Sequence, residues 1–133
     1  MGDPCGIGPE VIARALSDGR VRRALVPVVF GDGPSLRRLE DVEVRAVTQL
    51  RAADRRPGKP VRAGGRAQLQ YVRAAIAAAK AGEVDALCTA PVSKEQITRS
   101  GHVLGHDHVD SATILPVVSH LSRDQVRRYS RAS

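Results

Sequence analysis

A glycine-dense segment near the start of the sequence is the first candidate for chemistry. Residues 2–10 read GDPCGIGPE and lead from a turn into a predicted helix. Glycines let backbone N–H groups approach a bound anion closely, and a helix N-terminus favours negative charge. The segment has neither the Gly-Lys-Ser/Thr ending of a Walker A loop nor the spacing of a dinucleotide fingerprint. It therefore predicts an anion-binding turn, with a purely structural tight turn as the open alternative.

Four histidines form the second candidate for chemistry: His102, His106, His108 and His120. Histidine is the commonest metal ligand and a natural acid or base near neutral pH. The glycines at 101 and 105 favour a loop over a helical pair, and a loop histidine is most often simply solvated. His120 differs because it follows the apolar run 114–118, at the carboxyl end of a predicted strand. Catalytic groups of open α/β sheets collect at such strand ends.

Other reactive residues point to structural roles. No G-x-S-x-G elbow, H-E-x-x-H pair or acidic metal cluster occurs, which argues against serine-hydrolase and zincin chemistry. Asp3 and Asp32 lie beside glycine turns, so we expect both to form turns rather than act as catalytic carboxylates. Cys5 and Cys88 are too few for a disulfide scaffold or a four-ligand zinc site. We expect both thiols to be reduced.

The composition is that of one globular domain. The sequence has 133 residues, 42% of them hydrophobic, and contains no apolar run long enough for a membrane span. The opening residues do not form an export leader, so we expect a soluble, cytoplasmic protein. The net charge of +7 raises nucleic-acid binding as a hypothesis. One Phe and two Tyr give no stacking platform, which favours small phosphorylated anions over nucleic acid as partners.

Short apolar runs alternate with helical stretches, which is typical of βα units and a mainly parallel sheet. Strands are predicted over 26–30, around Val42 to Val47, over 84–88 and over 113–119. Helices are predicted from Gly8 to a stop at Asp18, from 33 to about 40, over 66–81, and after S-x-x-Q capping boxes at Ser93 and Ser122, with a loop from Arg45 to Gly65. We therefore predict an α/β fold with a three-layer αβα arrangement.

Several motifs in order resemble one enzyme family. After Gly2–Glu10 come the segments 58–60 (GKP), 82–87 (GEVDAL) and 89–95 (TAPVSKE). Together they resemble the 4-hydroxythreonine-4-phosphate dehydrogenases of pyridoxal phosphate biosynthesis, with Cys5 where alanine is usual. The resemblance covers most of residues 1–106 and returns at Ser119-His120-Leu121 with Arg123-Asp124.

The resemblance implies a homodimeric enzyme that oxidises a phosphorylated hydroxy acid with NAD or NADP, after which the product loses carbon dioxide. It also implies a divalent metal (zinc, magnesium or cobalt) held by three histidines, acting as a Lewis acid. On this basis His106 is a substrate-binding residue and His120 is the first metal ligand. Asp107 stands at a second substrate-binding position, where the family has threonine.

Family members are more than twice as long as this sequence, and the fourteen-residue step from His106 to His120 is shorter than theirs. We therefore expect residues 1–133 to form a single partial α/β domain, incomplete relative to the family and internally shortened. A catalytic metal site needs about three protein ligands, so we expect little or no dehydrogenase activity from this chain alone. Two alternatives stay open: a dehydrogenase of a phosphorylated threonate-type acid, and a noncatalytic module that binds phosphate or another anion.

Overall fold

The computed structural model describes residues 1–101, and within this range helices and strands alternate. The elements are α1 (Gly8–Ser17), α2 (Gly19–Ala24), β1 (Val28–Asp32), α3 (Gly33–Leu36), β2 (Glu43–Thr48), a 3-10 turn (Ala52–Arg55), α4 (Arg62–Lys80) and α5 (Lys94–Arg99). The strand predicted over 113–119 and the helix predicted after Ser122 lie outside the described residues.

The two strands form a parallel pair, as predicted for this fold class. Val28 lies opposite Glu43, and the register shifts between Gly31 and Asp32. The connection between the strands passes through α3, and α4 packs against both strands. The architecture is therefore mixed α/β with a parallel sheet, and the described part contributes two strands of it.

Helix α4 carries most of the core. Its buried side chains include Leu69 and Ile76, which lie seven residues apart on one side of the helix, and Tyr71, which lies on another side. Other large buried side chains come from α5 (Ile97), which packs on α4, and from α3 (Leu36), which packs on the two strands. Burial of the α4 face therefore holds the strands and the short helices together.

Several element predictions are confirmed, some with shifted ends. Helix α1 begins at Gly8 and ends before Asp18, as its Pro9 and its apolar spacing predict. The strand pattern of the Val42 region is also confirmed. Helix α4 begins at Arg62, four residues before the predicted start, so the predicted loop from Arg45 to Gly65 is wrong at both ends.

The strand predicted over Val84–Cys88 is wrong. The chain is irregular from Glu83 to Ser93, and Cys88 is exposed. A strand needs a neighbour that supplies backbone hydrogen bonds, and the two-stranded sheet of the described residues does not extend to this segment. Local composition favoured a strand here, but the pairing that would make one is not formed.

Asp32 accepts four hydrogen bonds that link the end of β1 to α3 and to the end of β2. Its side chain is completely buried and accepts hydrogen bonds from Ser35 N (3.0 Å) and Ser35 Oγ (2.7 Å) at the start of α3. It also accepts from Thr48 Oγ1 (3.1 Å) and from Leu50 N (2.6 Å) at the end of β2. The predicted structural role of Asp32 is confirmed, since its carboxylate caps α3 and fixes the end of β2.

Tyr71 extends this network into α4. Its hydroxyl lies 2.9 Å from Thr48 Oγ1, and 1% of the residue is exposed. Burial raises the pKa of Tyr71 above its ordinary value, and the nearby charge of Asp32 adds to this effect. The folded state therefore keeps the phenolic proton under conditions where the unfolded chain releases it.

This difference predicts a loss of stability at alkaline pH. Below about pH 10 the phenol is protonated in both states, but above that value only the unfolded state ionises, so the free energy of unfolding falls as pH rises. The slope due to this one group is at most about 1.4 kcal/mol per pH unit. Urea titrations at pH 9 and pH 11 measure it, with Tyr71→Phe as the reference. Equal slopes for the parent protein and Tyr71→Phe would contradict the assignment.

Candidate functional site

The glycine turn of residues 2–8 is closed around its own aspartate. Asp3 is 8% exposed, and its Oδ1 accepts a hydrogen bond from Cys5 N at 2.8 Å. Gly6 N donates to Asp3 O at 3.2 Å. The predicted turn-forming role of Asp3 is therefore confirmed. In this conformation the N–H groups of Cys5 and Gly6 are bonded to Asp3 and not turned toward an external anion.

The same aspartate joins the turn to a distant part of the chain. Asp3 N donates to Pro91 O at 2.8 Å, and Gln96 Nε2 donates to Asp3 Oδ2 at 2.8 Å. A side chain at Gly2 would place its Cβ 2.0 Å from Pro91 O, so only glycine allows this approach. We call this contact between residues 2–8, residues 89–93 and Gln96 the turn junction.

Helix α5 begins at the turn junction. Ser93 Oγ accepts from Gln96 N at 3.3 Å, which confirms half of the predicted capping box. The reciprocal bond, in which Gln96 Oε1 would accept from Ser93 N, is not formed. Ser93 N donates to Oε1 of Gln68, a residue of α4 that is completely buried. Sequence reasoning did not single out Gln68 or the side chain of Gln96, because their partners are far away in the sequence.

Cys5 lies inside the turn and is a packing residue. It is 2% exposed, and its Sγ donates to Asp54 O at 3.3 Å. Burial raises the pKa of the Cys5 thiol, and the negative charge of Asp3 raises it further. A thiol that resists ionisation is a poor nucleophile and a poor metal ligand. Cys5 and Cys88 are both free thiols, as expected.

The start of α4 brings positive charge close to the junction. Its N-cap residue, Val61, supplies no side-chain cap, and Arg62 and Arg66 are exposed on the first turns. Gly64 of the same helix faces the Cys5 thiol, where an added Cβ would lie 3.3 Å from Sγ. The positive N-terminal end of α4 therefore lies beside the glycine turn, whereas Arg62 and Arg66, each two residues from Gly64, lie on the opposite side of the helix.

The substrate-binding and metal-binding residues expected from the resemblance cannot be placed at this site. His106, Asp107 and His120 all lie outside the described residues. Within residues 1–101, no three His, Cys, Asp or Glu side chains come together as a metal site would require. In the same range, no helix is both long and apolar enough to cross a membrane.

The fold and the turn junction define a class of protein. It is a mixed α/β domain in which the glycine turn before α1 contacts residues 89–93, just before α5. Residues 13–124 match the family described as pyridoxal phosphate biosynthetic protein PdxA. Because this match spans most of the sequence, the chain belongs to that family. The resemblance inferred from the motifs is confirmed.

Individual relatives agree with the family assignment. The chain is 37% identical over 126 residues to the 4-hydroxythreonine-4-phosphate dehydrogenase of Trichlorobacter lovleyi, covering 77% of this chain and 38% of that protein. It is 30% identical over 133 residues to the "Putative D-threonate 4-phosphate dehydrogenase" of Oceanobacillus iheyensis, covering 82% of this chain and 40% of the relative.

A crystal structure of a 4-hydroxythreonine-4-phosphate dehydrogenase from Burkholderia phymatum superimposes with a TM-score of 0.73 at 26% identity. The superposition covers 90% of this chain and 42% of that one. The chain nevertheless spans only about 40% of the length of the curated relatives it matches.

Proposed function

We propose that this chain serves the oxidation of a phosphorylated hydroxy acid by NAD or NADP, with 4-phosphooxy-threonine as substrate and decarboxylation as the following step. The family match over residues 13–124 is the observation that carries the proposal. The turn junction supports it, because it brings together two motifs that resemble this family, residues 2–10 and 89–95, which are far apart in the sequence. We also propose a cytoplasmic homodimer in which residues 1–133 form one α/β domain, partial relative to the family.

The site residues are carried over from the resemblance. We propose that His106 and Asp107 contact the substrate and that His120 is one ligand of a divalent metal. A divalent metal at such a site acts as a Lewis acid toward the substrate oxygen. The described residues supply no further ligand cluster, so we assign no step of the reaction to the metal. The role proposed for the described residues is to form the glycine-turn side of the substrate site.

A phosphorylated threonate is the second candidate substrate. The relative from Oceanobacillus iheyensis carries the name of that activity and covers a similar share of this chain. The two acids share a phosphate, a carboxylate and a hydroxyl group, and they differ in the substituent at carbon 2. The glycine turn and the positive N-terminal end of α4 suit the shared anionic groups of both.

An NADH-formation assay with both phosphorylated acids, each divalent metal and either nicotinamide tests the proposal. We expect weak turnover or none from the 133-residue chain, because one candidate histidine does not complete a three-ligand site. Turnover at a rate normal for an enzyme would contradict that expectation.

Calorimetry with the same two acids and with a short DNA duplex separates the remaining alternatives. Binding of a phosphorylated acid supports the proposed substrate class even where turnover is weak. Tight, salt-sensitive binding of the duplex with no binding of either acid would favour a basic module for nucleic acid and overturn the proposal.

A further inference from the structure

The bond between Asp3 and Gln96 has features that a simple surface contact lacks. Asp3 is buried, and both of its carboxylate oxygens are used: Oδ1 by Cys5 N and Oδ2 by Gln96 Nε2, each at 2.8 Å. Hydrogen bonds to a charged group are stronger than neutral ones. One carboxylate therefore fixes the shape of the glycine turn and its attachment to α5 at the same time.

The Gln96 side chain is not held there by other polar contacts. Its Oε1 is buried and has no hydrogen-bond partner among the described residues. An unpaired buried carbonyl oxygen is costly, so this side chain would gain by turning elsewhere if the bond to Asp3 were absent. The orientation of Gln96 therefore depends on the carboxylate of Asp3.

We propose that Asp3 and Gln96 form a latch that holds the glycine turn closed over Cys5 and against Pro91. Both are positioning residues: they set the geometry of the turn junction. Their relevance to catalysis rests on the proposed function. When the latch is released, the turn separates from α5, and the Oδ2 of Asp3 that Gln96 occupied becomes accessible to solvent and to a ligand.

Cys5 provides a local probe of the latch. It is 2% exposed, and its carbonyl accepts from Gly58 N at 2.8 Å, so a thiol reagent reaches the sulfur only when the turn moves. In a Cys88→Ser background, the rate at which a thiol reagent modifies Cys5 reports how often the turn opens. We expect Gln96→Ala to raise this rate about tenfold or more, the effect of losing a hydrogen bond to a charged group.

Two controls separate local opening from general loss of stability. Thr98→Ala changes an exposed residue of the same helix and is expected to label at the parent rate. Ile76→Val weakens the core on α4, far along the chain from the turn, and lowers global stability modestly. If Ile76→Val increases labelling of Cys5 as much as Gln96→Ala does, labelling reports global unfolding and the latch is overturned.

A reversed pair provides the decisive test. In Gln96→Glu two carboxylates face each other, and we expect fast labelling of Cys5. In the double variant Asp3→Asn with Gln96→Glu, the asparagine amide donates to the glutamate, while its carbonyl still accepts from Cys5 N. We expect the double variant to label at least about tenfold more slowly than Gln96→Glu.

Two results would overturn the latch. One is a double variant in which Cys5 is labelled as fast as in Gln96→Glu, and the other is a Gln96→Ala variant in which Cys5 is labelled at the parent rate. None of these measurements uses a substrate. Failure of the latch is therefore distinguishable from failure of the proposed function, which the calorimetry decides.

Discussion

Replacing Asp32 with alanine is expected to lower the free energy of unfolding by about 3–5 kcal/mol. The carboxylate accepts from the backbone N–H groups of Ser35 and Leu50 and from two hydroxyl groups, and it is completely buried. Alanine leaves those donors in the interior without partners, and each buried unpaired donor costs about 1–3 kcal/mol. Equilibrium unfolding in urea, followed by circular dichroism, measures the loss.

Asp18 provides the matched control. It is also an aspartate at a helix N-cap, and its side chain accepts from Arg20 N at 2.8 Å, but it lies on the surface. Water can replace the lost carboxylate there, so Asp18→Ala is expected to cost much less than Asp32→Ala. Similar losses for the two variants would show that helix capping alone explains the effect of Asp32. The network joining α3 to β2 would then have no measurable role.

Replacing Gly65 with alanine is expected to displace α5 from α4. An added Cβ would lie 2.2 Å from the carbonyl oxygen of Gln96 and 2.7 Å from its carbonyl carbon. Backbone atoms cannot move aside as a flexible side chain can, so the helix would shift and Ile97 would lose part of its packing. Such overpacking costs about 1–3 kcal/mol, of which a gain of about 1 kcal/mol in helix propensity recovers a part.

The neighbouring glycine separates the steric effect from helix propensity. At Gly64 an added Cβ would lie 3.3 Å from Cys5 Sγ and 3.5 Å from Pro4 Cγ, so small side-chain adjustments suffice. Because the two positions are adjacent in one helix, both substitutions gain similar helix propensity. We expect Gly64→Ala to be near neutral in urea unfolding and Gly65→Ala to be clearly destabilising. Equal stabilities would mean that α5 moves away from α4 without cost.

Part of the fold could be predicted because local signals agree with the packing. Pro9 and the apolar spacing after it define α1, and the valines of the β2 region define that strand. The early start of α4 could not be predicted, because Gly64 and Gly65 are poor helix formers taken alone. Their value lies in the close approach of α5, which local sequence does not reveal.

The sequence did not predict helix α2, and it wrongly predicted a strand over Val84–Cys88, for related reasons. Helix α2 is a short, arginine-rich segment of six residues with no buried side chain, so it has no apolar pattern to recognise. It depends on the Asp18 cap instead. The Val84–Cys88 segment has strand-like composition, but a strand exists only with a partner that accepts and donates its backbone hydrogen bonds. Composition alone cannot report whether that partner is present.

The candidate site also has features that the sequence could predict and features that it could not. The residues of each motif, the glycine turn and the segment Thr89–Ser93, were enough to recognise that motif by itself. Their contact could not be predicted, because Asp3 bonds to Pro91 O and to Gln96 Nε2, and Gln96 lies 93 residues away along the sequence. Nor could the sequence reveal that the turn's own aspartate takes up N–H groups of the turn that were expected to bind an anion.

The wide sequence separation of Asp3 and Gln96 also determines the entropic cost of closing the turn junction. The bond between Asp32 and Leu50 closes a loop of 18 residues, whereas the junction closes one of 93. Loop closure entropy grows with the logarithm of loop length, so the longer closure costs about 1.5 kcal/mol more. The short loops around Asp32 therefore close at a lower entropic cost than the turn junction does.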